Sequence, residues 1–256
     1  MKARNFMVLI TLAMLAMIFP LRADPSAEAA ILMTPMKAAA NLGPTPDVLW
    51  LKMDVGTGTS AVDSSVAGNN GTLSGSTIPT WGTGPNANGC LTFNGSTAYV
   101  DCGSGSVPTA AVTFSCWVKY TTLVSQNQMM SKGYDGANSQ TQLYLDASGK
   151  INWNTFNLST GTHGVVGGTA LSSGTWYFVC CFYDGTNWKI YLNAVLDGSA
   201  AAAGPVAAAR KIEVGAIDTG SATPVQFWPG SIDDARIYGR ALTPTEITTL
   251  YNAGAQ

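Results

Sequence analysis

The side chains that could carry catalysis in this chain are its carboxylates and its single histidine. The carboxylates are scattered over separate predicted elements: Asp101, Asp146, Glu213 and Glu246. Hydrolysis of a glycosidic bond needs two carboxyl groups that face each other across a cleft. A serine or cysteine nucleophile needs a positioned base, but His163 lies in a polar, glycine-containing loop. The sequence therefore predicts no catalytic residue.

Two adjacent acids, Asp233 and Asp234, lie within a predicted strand near the C-terminal end. Neighbouring residues on a strand point to opposite faces. We therefore expect one carboxylate to reach the interior or a neighbouring loop, while the other meets solvent.

Aromatic and amide side chains alternate along residues 151–157, INWNTFN. Such a pattern can line a face on which a ring stacks against a sugar and amides bond its hydroxyls. The alternative, a half-buried strand with a polar outer face, is what period-two alternation by itself favours. A tyrosine–aspartate pair and a tryptophan at a predicted loop tip are further candidates. The candidate ligand-binding residues are Asn152, Trp153, Asn154, Tyr134, Asp135 and Trp228.

Short alternating runs separated by turns predict β-strands over most of the chain. Apolar and more polar residues alternate over residues 114–119, and Asn-Gly or Asp-Gly pairs recur between such runs. One helix is expected near the C-terminal end, where Thr243 and Glu246 have the spacing of a capping box. All-β sandwiches commonly reach about 200 residues as one domain, so a single core is enough for this length.

The composition argues against nucleic acid as a partner. Only 11% of the 256 residues are charged, and the formal net charge is −2. The chain therefore lacks the positive field with which proteins bind a phosphate backbone.

Residues 1–29 have the pattern of a secretory signal peptide. Two basic residues precede an apolar run over residues 6–19, and residues 27–29, AEA, offer a small-residue cleavage site. The apolar run is shorter than the roughly 20 residues that a membrane-spanning helix needs, so cleavage is preferred to a permanent anchor. Residues 30–47 are rich in Ala and Pro and are expected to form a linker.

The stretch FWPGSIDDARIYGRALTPTEITTLY, residues 227–251, combines a glycine turn, a long strand and a short helix. Together with CLTFNGS at residues 90–96 and further strands in the same order, it resembles the laminin G-like, concanavalin A-like lectin/glucanase family. The resemblance implies that residues 48–252 form one domain. Its fold would be an antiparallel two-sheet β-sandwich, the concanavalin A-like jelly roll, with one short C-terminal helix. The Glu-x-Asp-x-Glu motif of the glucanase branch is absent from this sequence.

The resemblance also implies a structural calcium ion near the first strand, the Asn/Asp-Gly hairpin and the last strand. The residues at those places are Asp54, Asn94, the Gly95 carbonyl, and Asp233 or Asp234. Asn94 stands where the family more often has Asp. This difference removes one negative charge and lowers the expected affinity for calcium. The alternative is that these polar groups are satisfied by backbone amides.

The chain has five cysteines, so at least one is unpaired unless it bonds another chain. Cys90 and Cys102 lie at equal distance from Ser96 and face each other if Ser96 is the centre of the turn. A register offset of one residue places Cys102 opposite Leu91 instead. The other three lie in apolar strand patterns and are expected to be buried and reduced: Cys116, Cys180 and Cys181.

Together these features predict a secreted, non-enzymatic domain that binds a glycan or an extracellular or cell-surface protein. One alternative is a structural or adhesive protein without a small ligand, which is favoured if every large aromatic side chain is buried. The other is a divergent glycoside hydrolase, which requires two carboxylates about 5 to 9.5 Å apart in a cleft.

We predict that export removes residues 1–29, because a short apolar segment followed by a small-residue site is cut by signal peptidase. N-terminal sequencing of the secreted protein should begin near residue 30. Recovery of the chain in the membrane fraction with Met1 intact would contradict this prediction.

Overall fold

The computed structural model describes residues 43–255. Short strands dominate this part of the chain, as the alternating patterns predict, and one helix follows the last strand. The first eight strands are β1 (Leu49–Leu51), β2 (Ser60–Ala61), β3 (Gly71–Ser74), β4 (Thr80–Thr83), β5 (Gly89–Asn94), β6 (Tyr99–Asp101), β7 (Val112–Tyr120) and β8 (Asn127–Tyr134). The later elements are β9 (Asn138–Leu145), β10 (Lys150–Asn157), β11 (Gly161–Ala170), β12 (Tyr177–Tyr183), β13 (Asn187–Leu192), β14 (Val195–Ala201), β15 (Ile212–Val214), β16 (Pro229–Tyr238) and the helix α1 (Pro244–Ala253).

The strands form two antiparallel sheets of eight strands each. In the first sheet the order is β14-β13-β12-β7-β16-β5-β4, and β1 also pairs with β16. In the second sheet the order is β11-β10-β9-β8-β15-β6-β3-β2. One apolar core takes side chains from both sheets, such as Phe114 and Ile237 from the first and Leu143 and Trp153 from the second. Two sheets packed on a shared core make a β-sandwich, so the predicted fold class is confirmed.

Strand β16 is central to the first sheet and is buried along its whole length. One edge pairs with β7, while the other pairs with β5 over residues 229–232 and with β1 over residues 235–237. Between these two stretches the register with β7 shifts, and Asp234 has a φ of 50°. The inserted residue is a β-bulge, which interrupts the alternation of side chains. Because both faces of β16 are covered, Asp233 and Asp234 are both buried, at 0% and 3% exposure, and the expectation that one of them meets solvent is wrong.

Asp234 and Arg236 form a buried ion pair at this bulge. Arg236 donates from Nε to Asp234 Oδ1 at 2.9 Å and from Nη2 to Oδ2 at 2.7 Å. Trp50 on β1 donates from Nε1 to the same Oδ1 at 2.7 Å, and the guanidinium lies 4.4 Å from the centroid of its ring. Loss of one partner from a desolvated pair leaves the other charge uncompensated. The pair therefore couples β1 to β16.

Asp233 is neutral in the folded protein. Its Oδ1 accepts the Asp234 N–H at 2.9 Å, but its buried Oδ2 has no hydrogen-bond partner among the described residues. Burial raises the pKa of Asp233 to about 9, and the negative charges of Asp234 and Asp54 add to this effect. A carboxyl group with this pKa is protonated at pH 7.

The Asn94-Gly95 turn joins the two sheets and does not form a hairpin within one of them, because β5 belongs to the first sheet and β6 to the second. Asn94 Oδ1 accepts the backbone N–H groups of residues 96, 97 and 98, which fixes this crossover. Residues at equal distance from its centre are therefore not paired neighbours. Cys90 and Cys102, the one pairing that the sequence left open, do not form a disulfide, and all five cysteines are free and buried.

Helix α1 begins as the sequence predicts. Glu246 N donates to Thr243 Oγ1 at 3.3 Å, and Thr243 N donates to Glu246 Oε2 at 2.9 Å. Pro244 occupies the start of the helix, and Ile247 and Leu250 are buried in an apolar cluster with residues of the first sheet. The helix therefore covers part of the outer face of that sheet.

Residues 43–47 contact the sandwich before β1 begins. Tyr238 Oη donates to the Pro44 carbonyl at 3.2 Å, and Gly239 N donates to Asp47 Oδ1 at 2.7 Å. The predicted signal peptide and most of the predicted linker lie outside the described residues. Within residues 43–255, no helix has the length and apolar character needed to span a membrane.

We predict that alkylation in denaturant without reductant labels five thiols per chain. In the native protein labelling should be slow, because the thiols are buried and burial raises the pKa of Cys102, Cys116 and Cys180. Mass spectrometry counts the labels. Fewer than five labels in denaturant would reveal a disulfide and contradict the five free thiols described here.

We predict that Asp233→Asn makes the protein more stable at alkaline pH. The folded protein keeps this proton up to a pKa of about 9, whereas the unfolded chain releases it near the ordinary aspartate pKa of 3.8. The free energy of unfolding of the wild type therefore falls as pH rises through this window. The amide mimics the neutral carboxyl group but does not titrate. The melting temperature of Asp233→Asn minus that of the wild type should therefore increase as the pH rises from about 5 to about 8.5. A difference between the two proteins that does not change with pH would contradict a protonated Asp233.

Candidate functional site

Trp153 lies in the core and does not reach a surface. Its side chain is 0% exposed, and its ring centroid lies 5.0 Å from that of Phe114 and 5.4 Å from that of Trp188. A ring in this position cannot stack on a sugar, so Trp153 is removed from the predicted ligand-binding set. The physical reason is the alternation of β10, which directs its large aromatic residue inward.

Asn152 and Asn154 lie on the other face of β10, where their surroundings differ. Asn152 Nδ2 donates to Asp146 Oδ2 at 2.9 Å, which ties this amide to the turn before the strand. Asn154 Nδ2 donates to Tyr144 Oη at 3.3 Å, and this amide lines a surface groove. Of the two predicted amides, only Asn154 therefore lies in the groove.

Of the remaining three ligand candidates, only one lies in this groove. Trp228 is 0% exposed and belongs to the core, so it is not at an accessible loop tip. Asp135 Oδ1 accepts the N–H groups of Asn138 at 2.8 Å and Ala137 at 3.0 Å; these bonds close a turn and lower the pKa of Asp135. Tyr134 is half-buried and lines the groove.

The groove, called the amide groove below, has a volume of about 260 Å³. Four amides and three rings line it: Gln126, Gln142, Asn154, Gln226, Tyr134, Tyr144 and Phe156. The other lining residues are Thr162, Ile217, Thr219 and Val225. None of the eleven lining residues is Asp, Glu, Lys, Arg or His. The groove is therefore uncharged and combines amide groups with apolar surface.

A chain of hydrogen bonds fixes the groove amides. The buried Gln128 donates from Nε2 to Gln142 Oε1 at 3.0 Å and to Gln226 Oε1 at 2.8 Å. Gln142 Nε2 then donates to Ser139 Oγ at 2.7 Å, and Gln226 Nε2 donates to Gln126 Oε1. Side chains held in this way lose little further conformational entropy when they bind a ligand.

The rings supply apolar area beside these amides. Tyr134 and Phe156 pack edge to face, with ring centroids 5.8 Å apart and an interplanar angle of 65°. Burial raises the pKa of Tyr144, so its phenol is neutral at pH 7. Tyr144 can therefore both donate and accept a hydrogen bond.

Several groove residues were missing from the sequence prediction. Gln142 and Tyr144 alternate with the core residues Leu143 and Leu145 along β9. The period-two pattern was therefore sufficient to predict that both side chains face away from the core. Gln226 lies outside the strands, with a φ of 59°. No sequence pattern indicates that it meets the groove, because the tertiary fold alone brings it there.

The predicted calcium ligands do not converge. Asn94 and Gly95 lie beside Pro229, which precedes Asp233 by four residues, or about 13 Å along an extended strand. Only Asp54 lies near the acidic pair, since its charge contributes to the raised pKa of Asp233. Within residues 43–255, no group of three His, Cys, Asp or Glu residues is arranged to hold a metal ion. The predicted set does not fit one ion, and calcium binding at any other place stays a prediction.

Comparison with known proteins places the fold. A family model for the concanavalin A-like lectin/glucanases superfamily, Laminin_G_3, matches residues 94–248. Domain 4 of AbnA, a GH43 extracellular arabinanase from Geobacillus stearothermophilus solved with arabinotriose, is 21% identical. The match covers 83% of this chain and 100% of that domain, with a TM-score of 0.62. A search of curated proteins gives no match.

Two other solved structures share the architecture over only part of their own length. The botulinum neurotoxin type G receptor binding domain is 17% identical, with 81% of this chain and 51% of that chain covered and a TM-score of 0.62. A mutant of Trypanosoma rangeli sialidase that displays trans-sialidase activity is 15% identical. The match covers 81% of this chain and 33% of the sialidase chain, with a TM-score of 0.56. Likeness at these identities demonstrates the fold alone.

The family match spans residues 94–248, which is more than half of the chain. The chain belongs to the Laminin_G_3 family of the concanavalin A-like lectin/glucanase superfamily.

Proposed function

We propose that this protein is a non-catalytic carbohydrate-binding domain and that the amide groove is its binding site. The observation that carries the proposal is the lining of the groove, which combines four amides with three partly buried rings. Recognition sites of this kind are concave and combine apolar surface with a few placed polar groups.

The chemistry of the lining suits sugar. An amide side chain both donates and accepts hydrogen bonds, and a sugar hydroxyl does the same. The Phe156 and Tyr134 rings offer apolar faces and edges for the C–H face of a sugar ring. At about 260 Å³ the groove is slightly smaller than the roughly 300–1,000 Å³ typical of drug-sized ligands, which suits one or two sugar residues of a longer chain.

The position of the acidic residues supports the non-catalytic part of the proposal. Hydrolysis needs two carboxyl groups at the scissile bond, and no carboxylate lines the amide groove. The carboxyl groups with strongly raised pKa values are Asp233 and Glu213, both of which are buried away from it. A divergent hydrolase remains the competing function, and release of soluble sugar from a polysaccharide by purified protein would establish it.

The similar structures give the proposal a precedent. Domain 4 of AbnA was solved with arabinotriose, and the neurotoxin domain is named for receptor binding. Both have the fold of this chain. We extend the proposal to an exported protein whose partner is a glycan, free or displayed on an extracellular or cell-surface protein, because residues 1–29 have the signal-peptide pattern.

We predict that Asn154→Ala weakens glycan binding while Asn152→Ala does not. The two amides lie on the same strand with 6% and 7% exposure, and each donates one side-chain hydrogen bond to another side chain. Only Asn154 lines the groove. Loss of a hydrogen bond to a neutral ligand costs about 0.5–1.5 kcal/mol, so affinity should fall roughly 2- to 12-fold.

A glycan array and polysaccharide pull-down with the purified protein identify the ligand, and titration calorimetry measures both variants. Melting temperatures that match within a few degrees show that the variants are folded. Equal losses in the two variants would contradict the groove as the binding site. Absence of glycan binding would favour the structural or adhesive alternative.

A further inference from the structure

We infer that the amide groove selects uncharged glycans and excludes those that carry carboxylate or sulfate groups. This inference rests on the proposed function and adds the chemical class of the ligand. Its basis is the uncharged lining of the groove.

An acidic sugar has no counter-charge in the groove. All eleven lining residues are uncharged at neutral pH, and no Lys or Arg is among them. Moving a carboxylate or sulfate out of water is costly unless cations or several donors compensate it. The chain as a whole carries a formal charge of −2, which at long range repels an anionic polymer. A neutral glycan meets none of these penalties.

The first experiment compares neutral with acidic ligands at two salt concentrations. Titration calorimetry with arabinotriose and other neutral oligosaccharides, and with oligogalacturonate and sulfated oligosaccharides, measures affinity in about 50 mM and 500 mM NaCl. Binding without ion pairs is insensitive to screening. We expect neutral ligands to bind with less than about a 2-fold change between the two salt concentrations, and acidic ligands to bind at least about 10-fold more weakly.

The second experiment supplies the missing charge. Gln142→Lys places a cation in the groove, and we expect it to increase affinity for the acidic ligands in a salt-dependent manner. Ala147→Lys, which adds the same charge at an exposed turn outside the groove, is the matched control and should leave selectivity unchanged. If Gln142→Lys does not fold, Gln226→Lys makes the same test from the other side of the network.

The outcomes separate the inference from the proposed function. Tighter binding of acidic ligands that is lost in Asn154→Ala would overturn the neutral class and leave the groove as a glycan site. Neutral binding that Asn154→Ala does not weaken would overturn the inference by placing the ligand on another surface. Binding of neither class would overturn both.

Discussion

Burial of Trp153 between the sheets fixes which face of the second sheet carries the amides. The ring packs against Phe114 and Trp188 in the core, and truncation of such a side chain costs about 3–5 kcal/mol. Because side chains alternate along a strand, a slip of one residue would expose Trp153 and bury its polar neighbours. The stability of the core therefore specifies the register that places Asn154 in the groove.

The two sheets carry different kinds of polar groups. The first sheet is covered in part by α1 and contains β16, whose bulge holds the Asp234–Arg236 ion pair and the neutral Asp233. These charged and titratable groups contribute to stability and its pH dependence, and they lie apart from the amide groove. The second sheet carries Gln128 and Gln142 of the uncharged amide network on strands that also supply core residues, and Gln226 joins them from outside the strands. Stability and proposed recognition thus depend on different residues.

Local sequence patterns predicted the secondary-structure elements, and the resemblance to the lectin/glucanase family predicted their arrangement in two sheets. Alternation, turn pairs and the Thr243–Glu246 capping box all predicted elements that the structure contains. They failed at two points for physical reasons. Both faces of β16 are buried, so neither acid meets solvent, and the crossover at Asn94 separates residues that a hairpin would pair.

The candidate site was less accessible from the sequence. Asn154 and Tyr134 were predicted and lie in the amide groove, whereas Trp153 and Trp228 lie in the core. Large aromatics are natural candidates for stacking on sugar, but their apolar area also makes them preferred core residues. The groove amides come from distant segments such as Gln126, Gln142 and Gln226. Only tertiary contacts join them, and no local pattern encodes those contacts.

Side-chain amide resonances of asparagine and glutamine in ¹H–¹⁵N spectra, followed while a neutral oligosaccharide is added, test the central claim most directly. The account predicts concentration-dependent shifts for Asn154, Gln142 and Gln226, with Asn152 little changed, because only the first three line the groove. Shifts confined to amides outside the groove would contradict it.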